Sequence, residues 1–434
     1  MKILFATMQF GRGYGQGTER YIIMLAQRLT ELGHNVAVLG GDPEHRGPQL
    51  PLGQEYEQDP RVLYYPTHGW TAVRGVPDTN LDAVLTRGKP DLIHMVNPGH
   101  IGVGLIAAAR RANIPTVITI VDYWWLCPKH ILLHDRRGIC DSNVHWMECV
   151  RCIGAVDSRR WVRVLANLPL VRATALPALY LLRSLLRGAT LADARDWTRR
   201  QTILRDTLNA ADAVIFLSDG ARNRIAPRLN HRRTHTIVVG MEPRWFEAGR
   251  STPRDTTRRP PSELTLGFVG ALADHKGTHL ILQAAHQLNW TNTRIRIAGS
   301  GPDTTYQRRL TALATGLNVE FVGRVPSADV PAFLRSLDAL IVPSTWPENL
   351  PQTVLEAQAV GTPVIASRVD GISEVIADDS MLFDAASAPD LARCLKAWAD
   401  SPRQPPPAKP VRSVDDMVTD TLAVYSGLSG TRPT

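Results

Sequence analysis

The alternation of short apolar runs with amphipathic helical stretches constrains this chain more than any other feature of its sequence. Residues 18–32, for example, carry apolar side chains with helical spacing between apolar runs at 3–8 and 35–39. Further strands are predicted at 91–96, 114–121, 212–217, 236–239, 264–269, 294–298, 319–322, 338–342 and 363–366. A strand–helix–strand rhythm is typical of parallel sheets. The sequence therefore predicts an α/β fold with two Rossmann-like, doubly wound domains facing a central cleft.

The 434 residues suffice for two or three cores. We predict an N-terminal domain at 1–248, in which a Cys-rich and basic insert at about 127–206 interrupts the rhythm. A linker rich in Arg, Thr and Pro follows at 249–262, then a second domain at 263–410 and a last helix within 411–434. In open parallel sheets ligands bind beyond the carboxyl ends of the strands, so the motifs should lie on the loops there.

Composition excludes several classes of protein. With 44% hydrophobic and 21% charged residues, the chain is not globally disordered. It contains no uncharged apolar run of membrane-spanning length, and its first residues resemble a buried strand more than a secretory signal. Together with a content of only five cysteines, these features predict a cytoplasmic protein.

Two glycine-containing turns follow predicted strands in the second half. The first runs from Gly270 to Lys276 and opens a helix, whose free N–H groups and positive dipole end suit a diphosphate together with the Lys276 charge. A solvated lysine at a helix start is the simpler interpretation of this turn alone. The second holds Gly299 and Gly301, which would allow close backbone approach to a ligand.

The segment 343–356 carries the strongest signal. Two carboxylates, Glu348 and Glu356, flank the start of a predicted helix, and each can accept hydroxyl groups of a sugar or ribose. The main-chain amides between them can face an anion.

The order and spacing of these motifs resemble the retaining nucleotide-sugar glycosyltransferases of family four, which have the GT-B fold. The resemblance continues through 361–367 and includes N-terminal segments at 15–20, 91–94 and 122–128. It covers nearly the whole chain. Each motif is modest alone, but their joint order is specific.

The resemblance implies roles for individual residues. Lys276 and Glu348 would be the catalytic pair, with Lys276 on the donor diphosphate and Glu348 beside the transferred sugar. Glu356 would accept the ribose hydroxyls. Residues implied on the donor side are Gly17, Gly270, Lys276, Gly299, Gly301, Ser344, Glu348, Asn349, Leu350, Pro351 and Glu356; those on the acceptor side are Glu19, His94 and Asp122.

The implied reaction needs no metal or other cofactor. The substrates would be a nucleoside-diphosphate sugar, bound by the C-terminal domain, and a glycan, lipid-linked or small-molecule acceptor, bound by the N-terminal domain. Surface or extracellular polysaccharide synthesis is the implied role. The last helix would return to the N-terminal domain, as it does in the family.

Some positions depart from the family pattern. Ala271 stands where an Arg is common, Val121 where a His is common, and 239–242 reads Val-Gly-Met-Glu instead of Asn-Gly-Val-Asp. These differences leave a non-catalytic sugar-nucleotide-binding relative as an alternative. An NAD enzyme is disfavoured because the glycines at 11–17 have the wrong spacing. A metal-dependent GT-A enzyme would want Asp-x-Asp, which the sequence lacks.

Four cysteines fall in the irregular segment: Cys127, Cys140, Cys149 and Cys152. Their thiolates could form a structural zinc site, since Cys149 and Cys152 have a metal-knuckle spacing. Reduced unconnected thiols, or a disulfide, explain the pattern equally well. Both interpretations stay open at this point.

The basic charge is local. Of the net charge of +8, six units lie in 157–206, which has ten Arg and four Asp. Amphipathic helices covering the N-terminal domain are the favoured interpretation of this segment. Peripheral contact with an anionic membrane, at its inner face, is the alternative. Too few aromatic residues accompany the arginines to predict nucleic-acid binding.

Overall fold

The computed structural model describes residues 1–8, 10, 17–42, 55–56, 61–66, 78–99, 101–134, 138–142, 144–154, 195–196, 198–230, 233–250, 260–400 and 409–428. The chain divides into two compact units. The N-terminal unit comprises Met1–Leu217, Ala221–Ile237 and Met417–Thr434, and the C-terminal unit comprises Ser218–Gly220 and Val238–Asp416. The main boundary thus falls at Ile237, before the linker that the sequence predicts at 249–262.

The described residues of the N-terminal unit form an eight-stranded sheet with the order β10-β9-β6-β5-β1-β2-β4-β3. Its strands are β1 (Lys2–Thr7), β2 (Asn35–Asp42), β3 (Glu55–Tyr56), β4 (Arg61–Pro66), β5 (Leu92–Asn97), β6 (Thr116–Ile120), β9 (Ala213–Phe216) and β10 (Thr234–Thr236). All pairs are parallel except β3 with β4. The central strands β5 and β6 are buried at every position, as expected for a parallel sheet covered on both faces.

Helices connect these strands. They are α1 (Gly17–Glu31), α2 (Asp78–Gly88), α3 (Gly104–Arg111), α4 (Trp146–Gly154) and α5 (Arg200–Ala210), followed by α6 (Asp219–Ile225). A small antiparallel pair, β7 (Leu133–His134) and β8 (Gly138–Ile139), lies in the irregular segment after β6. Leu25, Ala26 and Leu29 of α1 are fully buried, so the apolar face predicted at 18–32 packs into the core.

The C-terminal unit is built on a six-stranded sheet with the order β13-β12-β11-β14-β15-β16. Its strands are β11 (Thr265–Val269), β12 (Arg294–Ala298), β13 (Val319–Gly323), β14 (Ala339–Val342), β15 (Val364–Ser367) and β16 (Leu382–Phe383). This is a doubly wound order, in which the order of the strands along the sheet reverses between β11 and β14. The predicted fold class, two Rossmann-like α/β units, is confirmed.

The helices of the C-terminal unit follow the predicted alternation. They are α7 (Pro243–Arg250), α8 (Thr278–Gln287), α9 (Thr304–Leu313), α10 (Val330–Arg335), α11 (Gln352–Ala359), α12 (Asp370–Val375) and α13 (Ala388–Asp400). The last helix, α14 (Val414–Ser426), begins next to a bridge between Met241 and Ser413. From Met417 onward it belongs to the N-terminal unit, where Tyr425 is fully buried.

None of the described helices is long and apolar enough to cross a membrane. Most of the basic segment 157–206, most of the predicted linker at 249–262 and the glycines at 11–16 lie outside the described residues.

Candidate functional site

Two neighbouring strands of the C-terminal unit bring the strongest sequence motifs together. Strands β11 and β14 are parallel neighbours, so the loops that follow them leave the same edge of the sheet. Thr345 donates its main-chain N–H to the carbonyl oxygen of His275, 2.9 Å away. Gly277 has φ +71°, and a Cβ there would lie 1.8 Å from the carbonyl oxygen of Pro343. Only glycine therefore lets the turn that carries Lys276 lie against the loop that carries Glu348.

Glu348 is the centre of this site. Its Oε1 atom accepts hydrogen bonds from Lys276 Nζ at 2.6 Å, Ser344 Oγ at 2.7 Å and Trp346 Nε1 at 2.8 Å. Glu348 is only 4% exposed, and three donors compensate for the desolvation of its carboxylate. The predicted catalytic pair is thus in direct contact.

Trp346 is a site residue that the sequence analysis missed. Its ring lies under the Lys276 ammonium, with 5.0 Å between Nζ and the ring centroid, and the ring of His275 meets it edge-on. The sequence shows a Trp two residues before Glu348, but its value as an N–H donor and an aromatic face depends on the burial of Glu348, which only the structure gives.

Close packing between two loops requires glycines after β11 and β12. A Cβ on Gly299, which has φ +145°, would lie 1.8 Å from the carbonyl oxygen of Gly270. A Cβ on Gly301 would lie 2.2 Å from the carbonyl oxygen of Leu272. These glycines let two loops run side by side, and their predicted contact with the donor stays a prediction.

The residues after Glu348 lead into α11. Asn349 is buried and its Oδ1 accepts a hydrogen bond from Ser218 Oγ at 2.9 Å. Leu350 is buried, and Pro351 is the N-cap residue that precedes α11. Glu356, on α11, is 1% exposed. Its carboxylate is therefore enclosed, and its predicted contact with a ribose stays a prediction.

Glu374, in α12, contacts the first residues of α6 within the same unit. Its two carboxylate oxygens accept the main-chain N–H groups of Asp219, at 2.7 Å, and Gly220. Burial raises the pKa of Glu374 above its ordinary value, while the two N–H donors lower it. The carboxylate thereby satisfies N–H groups at the start of α6 that would otherwise lack helical partners.

The predicted acceptor residue Asp122 lies at the carboxyl edge of the N-terminal sheet, after β6. Its Oδ1 caps the turn Tyr123–Trp125 through the N–H of Trp124 at 2.8 Å. Its Oδ2 accepts from Asn97 Nδ2 at 2.8 Å and contacts His130 Nδ1 at 3.0 Å. His130 has φ +67°, an uncommon conformation for a residue other than glycine.

The other predicted acceptor residues are differently placed. His94 is fully buried; its Nε2 lies 2.6 Å from Thr119 Oγ1 and its Nδ1 lies 2.6 Å from Tyr425 Oη. Burial lowers the pKa of His94 to about 3. Both ring nitrogens are engaged inside the unit, which argues against the predicted role of His94 on the acceptor side. Glu19 is also buried, whereas Gly17 is exposed at the start of α1.

The four cysteines Cys127, Cys140, Cys149 and Cys152 line one small cavity of about 20 Å³. All are free thiols. Burial, with a smaller contribution from the neighbouring thiols, raises the pKa of Cys149 to about 12, so that this thiol is protonated at neutral pH. Within the described residues no group of three or more His, Cys, Asp or Glu side chains is arranged to hold a metal. The predicted structural zinc site is therefore not supported, since the described residues include all four cysteines.

Comparison with known proteins identifies the family. Residues 250–410 match the family model described as glycosyl transferases group 1, and residues 15–139 match glycosyltransferase family 4. The chain belongs to the group 1, family-four glycosyltransferases. The two matched stretches together cover more than half of the chain and contain Gly17, Asp122, Lys276, Glu348 and Glu356.

Relatives that match the chain carry related names. The chain is 27% identical to a D-inositol 3-phosphate glycosyltransferase of Corynebacterium urealyticum over 48% of this chain and 52% of that protein. It thus spans about half the length of this relative. It is 23% identical to a GDP-mannose-dependent α-mannosyltransferase of Mycolicibacterium smegmatis over 83% of this chain and 78% of that protein.

Solved structures show the same fold. The Anabaena protein HepE, solved in complex with UDP, covers 99% of this chain and 100% of its own, with a TM-score of 0.64 and 16% identity. At that identity the likeness establishes the GT-B fold of this family-four chain, as the sequence analysis predicted.

Proposed function

We propose that this family-four chain is a retaining glycosyltransferase that moves a sugar from a nucleoside-diphosphate sugar to a glycan, lipid-linked or small-molecule acceptor. The observation that carries the proposal is the contact of Lys276 with Glu348, at the point where the C-terminal sheet reverses its strand order. A cation for a diphosphate and a carboxylate for sugar hydroxyls stand side by side there. Ligands of other proteins support it too, since HepE has been solved with UDP and with UDP-glucose.

Charge stabilisation is the main task of the C-terminal unit in this proposal. As the bond between the sugar and the diphosphate breaks, negative charge grows on the diphosphate, and the Lys276 ammonium stabilises it. The N-termini of α8 and α11, neither of which has an acidic residue in its first turn, add positive potential. Glu348 accepts hydrogen bonds from hydroxyl groups of the sugar and stabilises the positive charge that develops on the sugar ring.

Retention follows if the acceptor attacks the face from which the diphosphate departs. The acceptor hydroxyl then forms the new bond to the anomeric carbon and gives its proton to the leaving diphosphate. That scheme requires neither a protein base nor a metal. The N-terminal unit would bind the acceptor, with Asp122 as its polar residue at the carboxyl edge of the sheet. Synthesis of surface or extracellular polysaccharide is the proposed role, in the cytoplasm or against the inner face of the membrane.

The test is a panel of UDP-, GDP-, ADP- and dTDP-sugars, scored first by thermal stabilisation of the purified full chain and then by transfer. We expect stabilisation by one nucleotide class, and loss of that signal in Lys276→Ala and Glu356→Ala. Arg294→Ala, whose charge is exposed beside Glu320, is the control. A chain that no sugar nucleotide stabilises would refute the proposal. Binding without hydrolysis or transfer would identify the non-catalytic relative that Ala271 and Val121 left open.

A further inference from the structure

The two carboxylate oxygens of Glu348 differ in their hydrogen bonds. Oε1 accepts from Lys276, Ser344 and Trp346. Among the residues that the structure describes, none donates a hydrogen bond to Oε2. Three donors saturate one oxygen, and its partner keeps its lone pairs for another ligand.

Two of the three donors are neutral and enclosed. Ser344 is 1% exposed and Trp346 is 8% exposed, so both are fixed by packing as well as by their hydrogen bonds to Glu348. Lys276 differs, because a quarter of its side chain is exposed and its charge is the one a diphosphate requires. When Lys276 shares its ammonium with a diphosphate, Ser344 and Trp346 still hold the carboxylate.

We infer that Trp346 and Ser344 are positioning residues that fix the rotation of the Glu348 carboxylate, so that Oε2 is the oxygen presented to the donor sugar. Trp346 has a second, separable effect, since its ring lies 5.0 Å beneath the Lys276 ammonium. The indole N–H thus acts on the sugar through Glu348, and the ring face acts on the diphosphate through Lys276. This inference rests on the proposed function and assigns how the same site distinguishes a nucleoside-diphosphate sugar from the bare diphosphate.

Two variants of Trp346 separate these effects. Trp346→Phe keeps an aromatic face beneath Lys276 and removes the N–H, whereas Trp346→Leu removes both. Ser344→Ala removes the hydroxyl alone. Trp290→Phe is the matched control, because Trp290 is a partly buried Trp of the same unit outside the site. Melting temperatures of all variants establish that they are folded.

The measurement is the dissociation constant, by calorimetry on the full chain, of a nucleoside diphosphate and of its sugar nucleotide. The pairs come from the UDP, GDP, ADP and dTDP classes in turn, beginning with UDP against UDP-glucose and GDP against GDP-mannose. For the pair that binds, Trp346→Phe should leave the diphosphate within about twofold of wild type and weaken the sugar nucleotide about tenfold, the value of one hydrogen bond to a charged group. Ser344→Ala should act in the same direction, and Trp346→Leu should weaken both ligands. Trp290→Phe should change neither.

One result would overturn the inference: a Trp346→Phe protein whose ratio of the two dissociation constants equals that of wild type. This covers the case in which neither ligand is weakened and the case in which both are weakened equally, as a general loosening of the loop would cause. That result leaves the proposed function standing. Wild-type protein that binds none of the UDP-, GDP-, ADP- and dTDP-sugars would instead refute the proposed function, and the positioning inference with it.

Discussion

His94 should make the N-terminal unit sensitive to acid. Its ring is fully buried between Thr119 and Tyr425, and burial lowers its pKa to about 3 from an ordinary value of 6.5. In the unfolded chain the same side chain takes up a proton near pH 6.5. Between these two pKa values the unfolded state therefore binds one more proton than the folded state, so that stability falls as the pH falls.

The size of the effect follows from the two pKa values. Each pH unit within the window contributes about 1.4 kcal/mol. Lowering the pH from about 7.5 to 4.5 crosses about two units below 6.5, and should remove about 3 kcal/mol of the free energy of unfolding through His94 alone.

The assay is urea unfolding of wild type and of His94→Gln at both pH values. Other groups titrate equally in the two proteins, so the difference between them isolates the histidine. His94→Gln should be less stable than wild type at pH 7.5, because it disturbs the bonds to Thr119 and Tyr425. Its disadvantage should shrink by about 3 kcal/mol at pH 4.5. A difference that does not change with pH would refute the reasoning, because it would mean that the pKa of His94 is the same in the folded and unfolded chain.

Three further predictions test single contacts. Gly277→Ala should lower the free energy of unfolding by at least about 2 kcal/mol, because the new Cβ clashes with Pro343. The control Gly316→Ala, at φ +79° in open space, should lower it by only about 1 kcal/mol. Equal losses for the two variants in chemical denaturation would contradict the clash. Cys149 should resist iodoacetamide at pH 8 in the native protein and react once unfolded, as peptide mass spectrometry would show; rapid native labelling would contradict its raised pKa. Tyr425→Phe should destabilise the protein by about 1–3 kcal/mol in thermal unfolding, and an unchanged stability would mean that its hydroxyl does not satisfy His94.

The sequence predicts the central strands of both sheets because each has a clear local pattern. It predicts none of the short or outer strands β3, β4, β7, β8 and β16, and the strand predicted at 236–239 lies instead at Thr234–Thr236. The buried run of β11 and the amphipathic helix α1 are recognisable locally. The boundary of the units is not, because most of α7 lies within 1–248 in the sequence interpretation, whereas the whole helix belongs to the C-terminal unit in the structure. Which sheet a helix packs against depends on contacts that no local pattern encodes.

The site was predicted as a set of residues but not as a geometry. Lys276 and Glu348 are far apart in the chain and meet only because β11 and β14 are neighbours, a consequence of strand order. Trp346 was overlooked because its N–H matters only once Glu348 is known to be buried beside it. The cysteines show the reverse case, in which a familiar spacing brings thiols around one cavity without the arrangement that a metal needs.

The contact of Lys276 with Glu348 explains why it matters that Ala271 stands where the family commonly has an Arg. Under the proposed function, the carboxylate of Glu348 balances the charge of Lys276 before a donor binds. The exposed side chain of Ala271 supplies no further charge. A nucleoside diphosphate would then be held by one shared ammonium and by main-chain N–H groups at the helix starts. Because each helix end carries only about half a unit charge, affinity for the diphosphate should depend on Lys276 more steeply than in a site with two cations. It should also fall strongly with salt where the site is open to solvent, since the ionic atmosphere screens exposed charges.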